Sequence, residues 1–169
     1  MKSRFSYSIC FWKLFLIPLL ILNVVSFQIG AVWAQSKTQL IAEQIQTLQK
    51  SNQRWIQINL SKQKLIAWEG EKLVYAVVIS TGKKETPTLT GIFEIQSKHK
   101  SSEMKGDDYD IPDVPYTMYY NGSYAIHGAY WHHNFGTRVS HGCVNLAPNH
   151  AKWLFNWASV GTPVIISRN

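Results

Sequence analysis

Arg54-Trp55-Ile56-Gln57-Ile58-Asn59-Leu60 alternates in character with a period of two. Ile56, Ile58 and Leu60 fall on one side of an extended chain and Gln57 and Asn59 on the other, the pattern of a strand with one buried face. The same rhythm continues outward. Lys64 to Trp68 and Leu73 to Ser80 are the next two predicted strands, joined through Ser61-Lys62 and Glu69-Gly70-Glu71. Ile92 to Gln96 is a further strand, and Pro163 to Ser167 is a closing one. Tyr116 to Tyr120 and Ser123 to Gly128 flank Asn121-Gly122, a pair that tolerates the positive φ of a tight hairpin turn. Two stretches break the rhythm. Thr81 to Gly91 is a loop, and Lys98 to Pro115, polar and carrying Gly106, Pro112 and Pro115, is predicted as a long irregular one. A loop of that length inside a compact domain is usually functional or mobile. One helix is clear: Pro148 suits a first turn, Ala151, Leu154, Phe155 and Ala158 recur at helical spacing, and Gly161 and Pro163 stop it. A mainly β domain over residues 54–169 with one helix follows.

Upstream of that domain the composition changes twice. Residues 35–53 are polar and Gln-rich, with Leu40, Ile41, Ile45 and Leu48 at helix-like spacing, and are predicted as a partly helical tether. Residues 1–34 begin with Lys2, Arg4 and Lys13, contain no acidic residue, run apolar from Leu14 to Val25, and end at Val32-Trp33-Ala34. That order is the order of a secretory signal, cleaved after small residues. The 14–34 stretch is also long enough to serve as a membrane anchor, although Asn23, Ser26 and Gln28 interrupt it. Either reading places the domain outside the cytoplasmic membrane, in the periplasm or cell wall, with membrane contact through the N-terminal segment. The formal charge of +7 drops to +4 without the three basic residues of that segment. Such a mild excess suits an anionic wall, and no Lys/Arg run or motif supports nucleic-acid binding. A monomer is expected.

There are two cysteines, Cys10 inside the signal and Cys143, so the exported part has one thiol and no internal disulfide. A lone thiol in an oxidising compartment is a liability unless it is buried or used. Its neighbours favour use. Ser140-His141-Gly142-Cys143-Val144-Asn145 follows Ile126-His127-Gly128, placing two candidate imidazoles, His127 and His141, near the sulfur. Free cysteine is mostly protonated at neutral pH, and an imidazole that takes the proton and holds the ion pair makes it a good nucleophile. Gly142 lets the backbone approach a substrate and leaves amide N–H groups for an oxyanion. No Asp or Glu follows Asp113, so a carboxylate partner for the base must come from earlier in the chain, or a backbone carbonyl such as that of Gly128 must serve. The competing reading of His141 and Cys143 as zinc ligands, completed by His127, His132 or His133, lacks a second cysteine and a nearby carboxylate. His132-His133 is predicted as a loop edge, and His99 and His150 as surface residues. Trp153 and Trp157 share a helix face toward the sheet. No metal or cofactor is expected.

Ser140 to Leu146 with the upstream Ile126-His127-Gly128 resembles the signature of the L,D-transpeptidase (YkuD-type) catalytic domain. Ser80-Thr81-Gly82 with Thr86 to Gly91, Asp113 to Tyr116 and Gly161 to Val164 extend the resemblance over most of residues 55–167. It implies a β-rich, β-sandwich-like fold in which the two motif segments meet at one end of a sheet. It also implies Cys143 as nucleophile, His127 as general base, and the Gly128 carbonyl as the group that orients His127. Ser140, His141, Gly142 and Asn145 would shape the oxyanion and substrate-binding region, though many relatives carry Arg where this chain has Asn145. The implied reaction joins peptidoglycan stem peptides: Cys143 expels a terminal D-alanine to form a thioester, and an amine of a neighbouring stem resolves it. The loops around Tyr130 to His133 and Met104 to Tyr109 are expected to line the groove. An L,D-carboxypeptidase or endopeptidase that resolves the same thioester with water is an alternative the residues leave open. A wall-binding protein without activity is a third, which the intact Cys143 and His127 oppose.

Overall fold

The computed structural model describes residues 37–168. The signal or anchor expected over residues 1–34, and Cys10 with it, lie outside the described residues. Among the described residues no helix is long and apolar enough to cross a membrane.

The alternating segment becomes β1 (Arg54–Asn59), the middle strand of a five-stranded sheet. On one side it pairs antiparallel with β2 (Lys64–Glu69), which pairs with β3 (Lys72–Val78). On the other side the last strand of the chain, β11 (Pro163–Ser167), runs parallel to it and carries β5 (Gly91–Glu94) at the edge. A second sheet has the order β10 (Val144–Leu146), β8 (Tyr124–Gly128), β7 (Asp110–Asn121), β6 (Ser97–Lys105). A short parallel pair, β4 (Thr81–Gly82) with β9 (Arg138–Ser140), joins the loops at one end. The mainly β architecture is the expected one, with helix α2 (Pro148–Trp157) packed on β7 and β8.

One core serves the two sheets and α2. Ile56, Ile58 and Leu60 meet Met118, Ile126, Val144 and Leu146, and α2 adds Ala151 and Leu154. The other face of β1 is covered as well. Residues 37–49, the region read as a partly helical tether, form helix α1 and lay Ile41 and Leu48 over the fully buried Trp55 and Ile165. The Trp55 indole N–H donates to the Gly70 carbonyl at 2.9 Å, which satisfies its polar edge inside this second cluster. The central strands are thus apolar on both faces, as β11 shows: Val164 and Ile166 point inward and Ile165 outward.

The largest departure from expectation is residues 98–115. They are not an irregular loop but most of a long hairpin, in which Ser97 to Lys105 pairs antiparallel with Asp110 to Tyr119. Strand periodicity was invisible because β6 has no buried face, so nothing in its sequence had to alternate. Pro112 and Pro115 fall in the outer half of β7, beyond the part that pairs with β8, where a missing N–H is tolerated. Asp113 and Tyr116 adopt positive φ of 49° and 58° there, bending the hairpin. The next turn also differs in detail. Asn121 pairs with Tyr124, so Gly122 and Ser123 are the central residues, and Gly122 alone supplies the positive φ, 53°.

Helix α2 starts at Pro148 with no side-chain cap at Ala147 and has no basic residue in its last turn. Its C-terminal carbonyls are met from β6: the Lys98 ammonium donates to the Phe155 carbonyl at 2.6 Å and to that of Ala158, and lies 4.4 Å from the Phe155 ring centroid. A cation there complements the helix dipole. Burial pulls the Lys98 pKa below its usual value. His150 is half-buried rather than a free surface residue, with its Nδ1 hydrogen-bonded to the Tyr75 hydroxyl. Trp153 stacks on Tyr75 at 4.0 Å and Trp157 on Trp153 at 5.8 Å.

Candidate active site

Strands β8 and β10 run parallel with Val144 opposite Ile126, Asn145 opposite His127 and Leu146 opposite Gly128. Because side chains alternate along a strand, sending Ile126, Val144 and Leu146 into the core turns His127, Cys143 and Asn145 to the other face. That face floors an open cleft of about 250 Å³ lined by all three. Trp131, Val139, Ser140 and His141 form its walls, and Met104, Tyr109 and Ile111 overhang it from the β6–β7 hairpin. The two motif segments expected to meet do meet, through this register.

His127 is buried, and its Nδ1 lies 3.0 Å from the carbonyl oxygen of Gly128. A carbonyl accepts only, so Nδ1 carries the proton and Nε2 presents a lone pair. Burial pushes the His127 pKa down to about 4; the Gly128 carbonyl opposes that shift and His132 adds a little to it. The imidazole is therefore neutral at pH 7. Burial pushes the thiol of Cys143 up, against an opposing backbone hydrogen bond from Ala125. Both shifts disfavour the thiolate–imidazolium pair expected at rest. Burial thus favours a thiol and a neutral imidazole at rest.

The Cys143 segment is braced from behind. Ser140 Oγ donates to the Cys143 carbonyl at 2.6 Å and accepts the Gly142 N–H at 3.2 Å. The Gly142 N–H is thus engaged within the turn, not open to an oxyanion. Gly142 is required for a different reason: its φ is 119°, and a Cβ there would stand 2.7 Å from the Tyr124 ring. Thr88 Oγ1 donates to the Gly142 carbonyl at 2.7 Å and accepts the Gly82 N–H at 2.9 Å, tying the 81–91 loop to the same turn.

His141 is exposed, and its partners differ from those of His127. Its Nε2 lies 3.0 Å from Asp108 Oδ2, and the Tyr109 ring stacks on it at 4.6 Å. The carboxylate that reaches the motif from earlier in the chain therefore contacts His141, while His127 relies on a backbone carbonyl. Asp108 is held below the usual carboxylate range, chiefly by its hydrogen bond from His141. Among the described residues no group of three or more His, Cys, Asp and Glu is arranged to hold a metal ion.

The profile described as the L,D-transpeptidase catalytic domain matches residues 53–166. The chain belongs to this family. L,D-transpeptidase 2 of Mycobacterium tuberculosis is 30% identical to it, over 53% of this chain and 25% of that relative. The crystal structure of a cysteine-to-serine mutant of Enterococcus faecium L,D-transpeptidase superposes with a TM-score of 0.65 at 29% identity, covering 69% of this chain and 50% of that one. The NMR structure of the catalytic domain from the E. faecium enzyme gives 0.62 at 31% identity, covering 69% and 98%. The chain spans 25% to 39% of the length of the mycobacterial relatives, so the shared part is the catalytic domain.

Against the L,D-transpeptidase signature, two contacts in this chain were not legible in the motifs. His132, expected at a loop edge, is half-buried, and its Nε2 lies 2.9 Å from the side-chain amide of Asn145. The other amide atom of Asn145 is buried with no hydrogen-bond partner among the described residues. Asp108 was hidden in a stretch without periodicity. The only available signal for either was position: His132 lies between the two motif segments, and Asp108 beside the aromatic Tyr109.

Proposed function

We propose that this protein is an exported L,D-transpeptidase acting on peptidoglycan stem peptides through a thioester on Cys143, with His127 as general base. The observation that carries the reading is the cleft floor, where His127 and Cys143 share one face and the Gly128 carbonyl at 3.0 Å leaves His127 Nε2 free to take a proton. Family membership supports the reaction class.

The neutral resting pair favours proton transfer coupled to attack. Cys143 Sγ bonds to the carbonyl carbon of a tetrapeptide stem as its proton moves to His127 Nε2. The imidazolium so formed keeps its Nδ1–H on the Gly128 carbonyl. The Cys143 backbone N–H is the donor closest to the forming C–S bond and takes the developing oxyanion. His127 then returns the proton to the departing D-alanine nitrogen as the C–N bond breaks. An acceptor amine attacks the thioester, gives its proton to His127, and the proton passes to sulfur. One amide replaces another, so no external energy source is needed. Export rests on the basic, apolar, small-residue order of residues 1–34.

Mass spectrometry of the purified mature protein with disaccharide-tetrapeptide tests the reading. The expected result is a stem acyl group on Cys143 without D-alanine, followed by cross-linked dimers. Absence of an acyl adduct sinks the mechanism, while a hydrolysed tripeptide as the sole product converts the enzyme to a carboxypeptidase. An N-terminus beginning at Gln35 on secreted material supports cleaved export, and retention in the cytoplasm overturns it.

A further inference from the structure

The proposed mechanism requires His127 to become an imidazolium, and its surroundings oppose that charge. Burial pushes its pKa down to about 4, and His132 on the following loop acts in the same direction. No carboxylate lines the cleft, whose other titratable groups are Cys143, Tyr109 from the flap and His141 from the wall. The Gly128 carbonyl accepts the Nδ1–H at 3.0 Å, which restrains one edge of the ring and leaves its faces to other partners. One face is met by Trp131, whose indole stacks on the imidazole with centroids 5.8 Å apart and planes 27° apart. The indole is itself held by two rings set nearly perpendicular to it, Tyr130 at 5.1 Å and His132 at 6.1 Å. Tyr130 is anchored in turn by its hydroxyl, which donates to the Pro112 carbonyl at 2.7 Å.

We propose that Trp131 is a positioning residue for His127: its indole face fixes the plane of the imidazole and stabilises the imidazolium that forms as Cys143 attacks. The face of an aromatic ring is the negative end of its quadrupole, tryptophan has the strongest of these faces, and a cation within about 6 Å of the centroid is attracted to it. A neutral imidazole gains only ordinary stacking, so the interaction grows as the proton arrives. Stabilisation that appears only with the developing charge speeds the chemical step without tightening substrate binding. In a site shielded from water a contact of this kind is worth up to roughly 30-fold in rate. The ring face thus does for the imidazolium part of what a carboxylate does in a Cys-His-Asp arrangement. It also places no full negative charge beside the sulfur, where one would oppose loss of the thiol proton.

The inference rests on His127 acting as base in the thioester reaction proposed above, so it is tested both with and without substrate. Site-specific replacement of Trp131 by mono-, di- and trifluorotryptophan drains the ring quadrupole in steps while keeping the shape of the indole. The limiting rate of acylation by disaccharide-tetrapeptide should fall with each fluorine, to roughly tenfold below the wild type, with KM unchanged. The same series at Trp68, which stacks on Trp55 and does not line the cleft, should leave the rate as it was. A flat rate across the Trp131 series overturns the proposal. So does a change confined to KM, which would mean that the indole serves the substrate and not the base, or an equal fall in the Trp68 series. Without substrate, ¹⁵N spectra of the histidine-labelled, folded protein read the charge on His127 directly. At pH 4 a smaller fraction of His127 should be protonated in the trifluorinated Trp131 protein than in the wild type. An equal or larger fraction overturns the contact whether or not the enzyme transfers peptides. If the wild type forms no acyl adduct, the thioester reading fails by itself, and the ¹⁵N comparison still decides whether the indole holds the cation.

Discussion

The cleft has a floor and a flap that are built on opposite principles. The floor is the face of β8 and β10 opposite the core, so every side chain on it is placed by a neighbour that is wholly buried. The flap is the tip of the β6–β7 hairpin, which has no core behind it and meets the cleft wall at His141 through the exposed Asp108 and the half-buried Tyr109. Burial delivers position without adjustable parts. An exposed hydrogen bond and one ring stack deliver contact that can open. On the proposed function, chemistry therefore falls to the floor and access to the flap.

Variants on the two sides should separate accordingly. Cys143→Ala removes the nucleophile and should abolish both the acyl adduct and the product, as read by mass spectrometry; residual turnover would break the assignment of chemistry to the floor. His127→Gln should slow acylation by roughly 10²- to 10⁴-fold, the range for a lost general base. The same residue makes a pH prediction. Its folded pKa of about 4 lies below the ordinary 6.5, so the unfolded chain binds the extra proton first as pH falls. Stability is full above pH 6.5 and declines by up to about 3 kcal/mol as pH drops through 4. Urea titrations at pH 7 and pH 4 should show a smaller difference in His127→Gln than in the wild type. An equal difference would mean the acid loss arises elsewhere.

Gly142→Ala tests the brace under the floor. Alanine at a φ of 119° and in contact with Tyr124 should cost roughly 2–3 kcal/mol, seen as a lower Tm with activity lost alongside it. Unchanged melting would show that the turn can relax. The smallest effect belongs to the flap. Asp108→Asn removes an exposed partner of His141 and should raise KM by about threefold with kcat held, and the effect should shrink in high salt. A large fall in kcat would mean that the flap takes part in the chemistry and would erase the distinction.

The same contrast governs what the sequence revealed. The floor was legible because burial writes itself into residue order: Ile126, Val144 and Leu146 alternate with His127 and Asn145, and glycine precedes Cys143 where a side chain would strike Tyr124. The five-stranded sheet was legible for the same reason, through Ile56, Ile58 and Leu60. The flap left no such trace, since a strand without a fully buried face imposes little alternation, and its length and prolines imitate a loop. Partners chosen across space were also hidden. Nothing near His132 in the chain points to Asn145, and nothing near Asp108 points to His141. The docking of α1 was half visible: Ile41 and Leu48 had helical spacing, but Trp55, which receives them, reads as the polar side of its strand.

The lysine at the root of β6 gives this hairpin the mechanics of a cantilever. Lys98 is clamped to two carbonyls at the end of α2, the Tyr130 hydroxyl holds the Pro112 carbonyl further out, and beyond that the beam runs free until Asp108 and Tyr109 come to rest on His141. In such a beam the stiffness of the clamp decides how far the free end strays. The aim of the flap is therefore set in part at the far end of a helix that does not line the cleft.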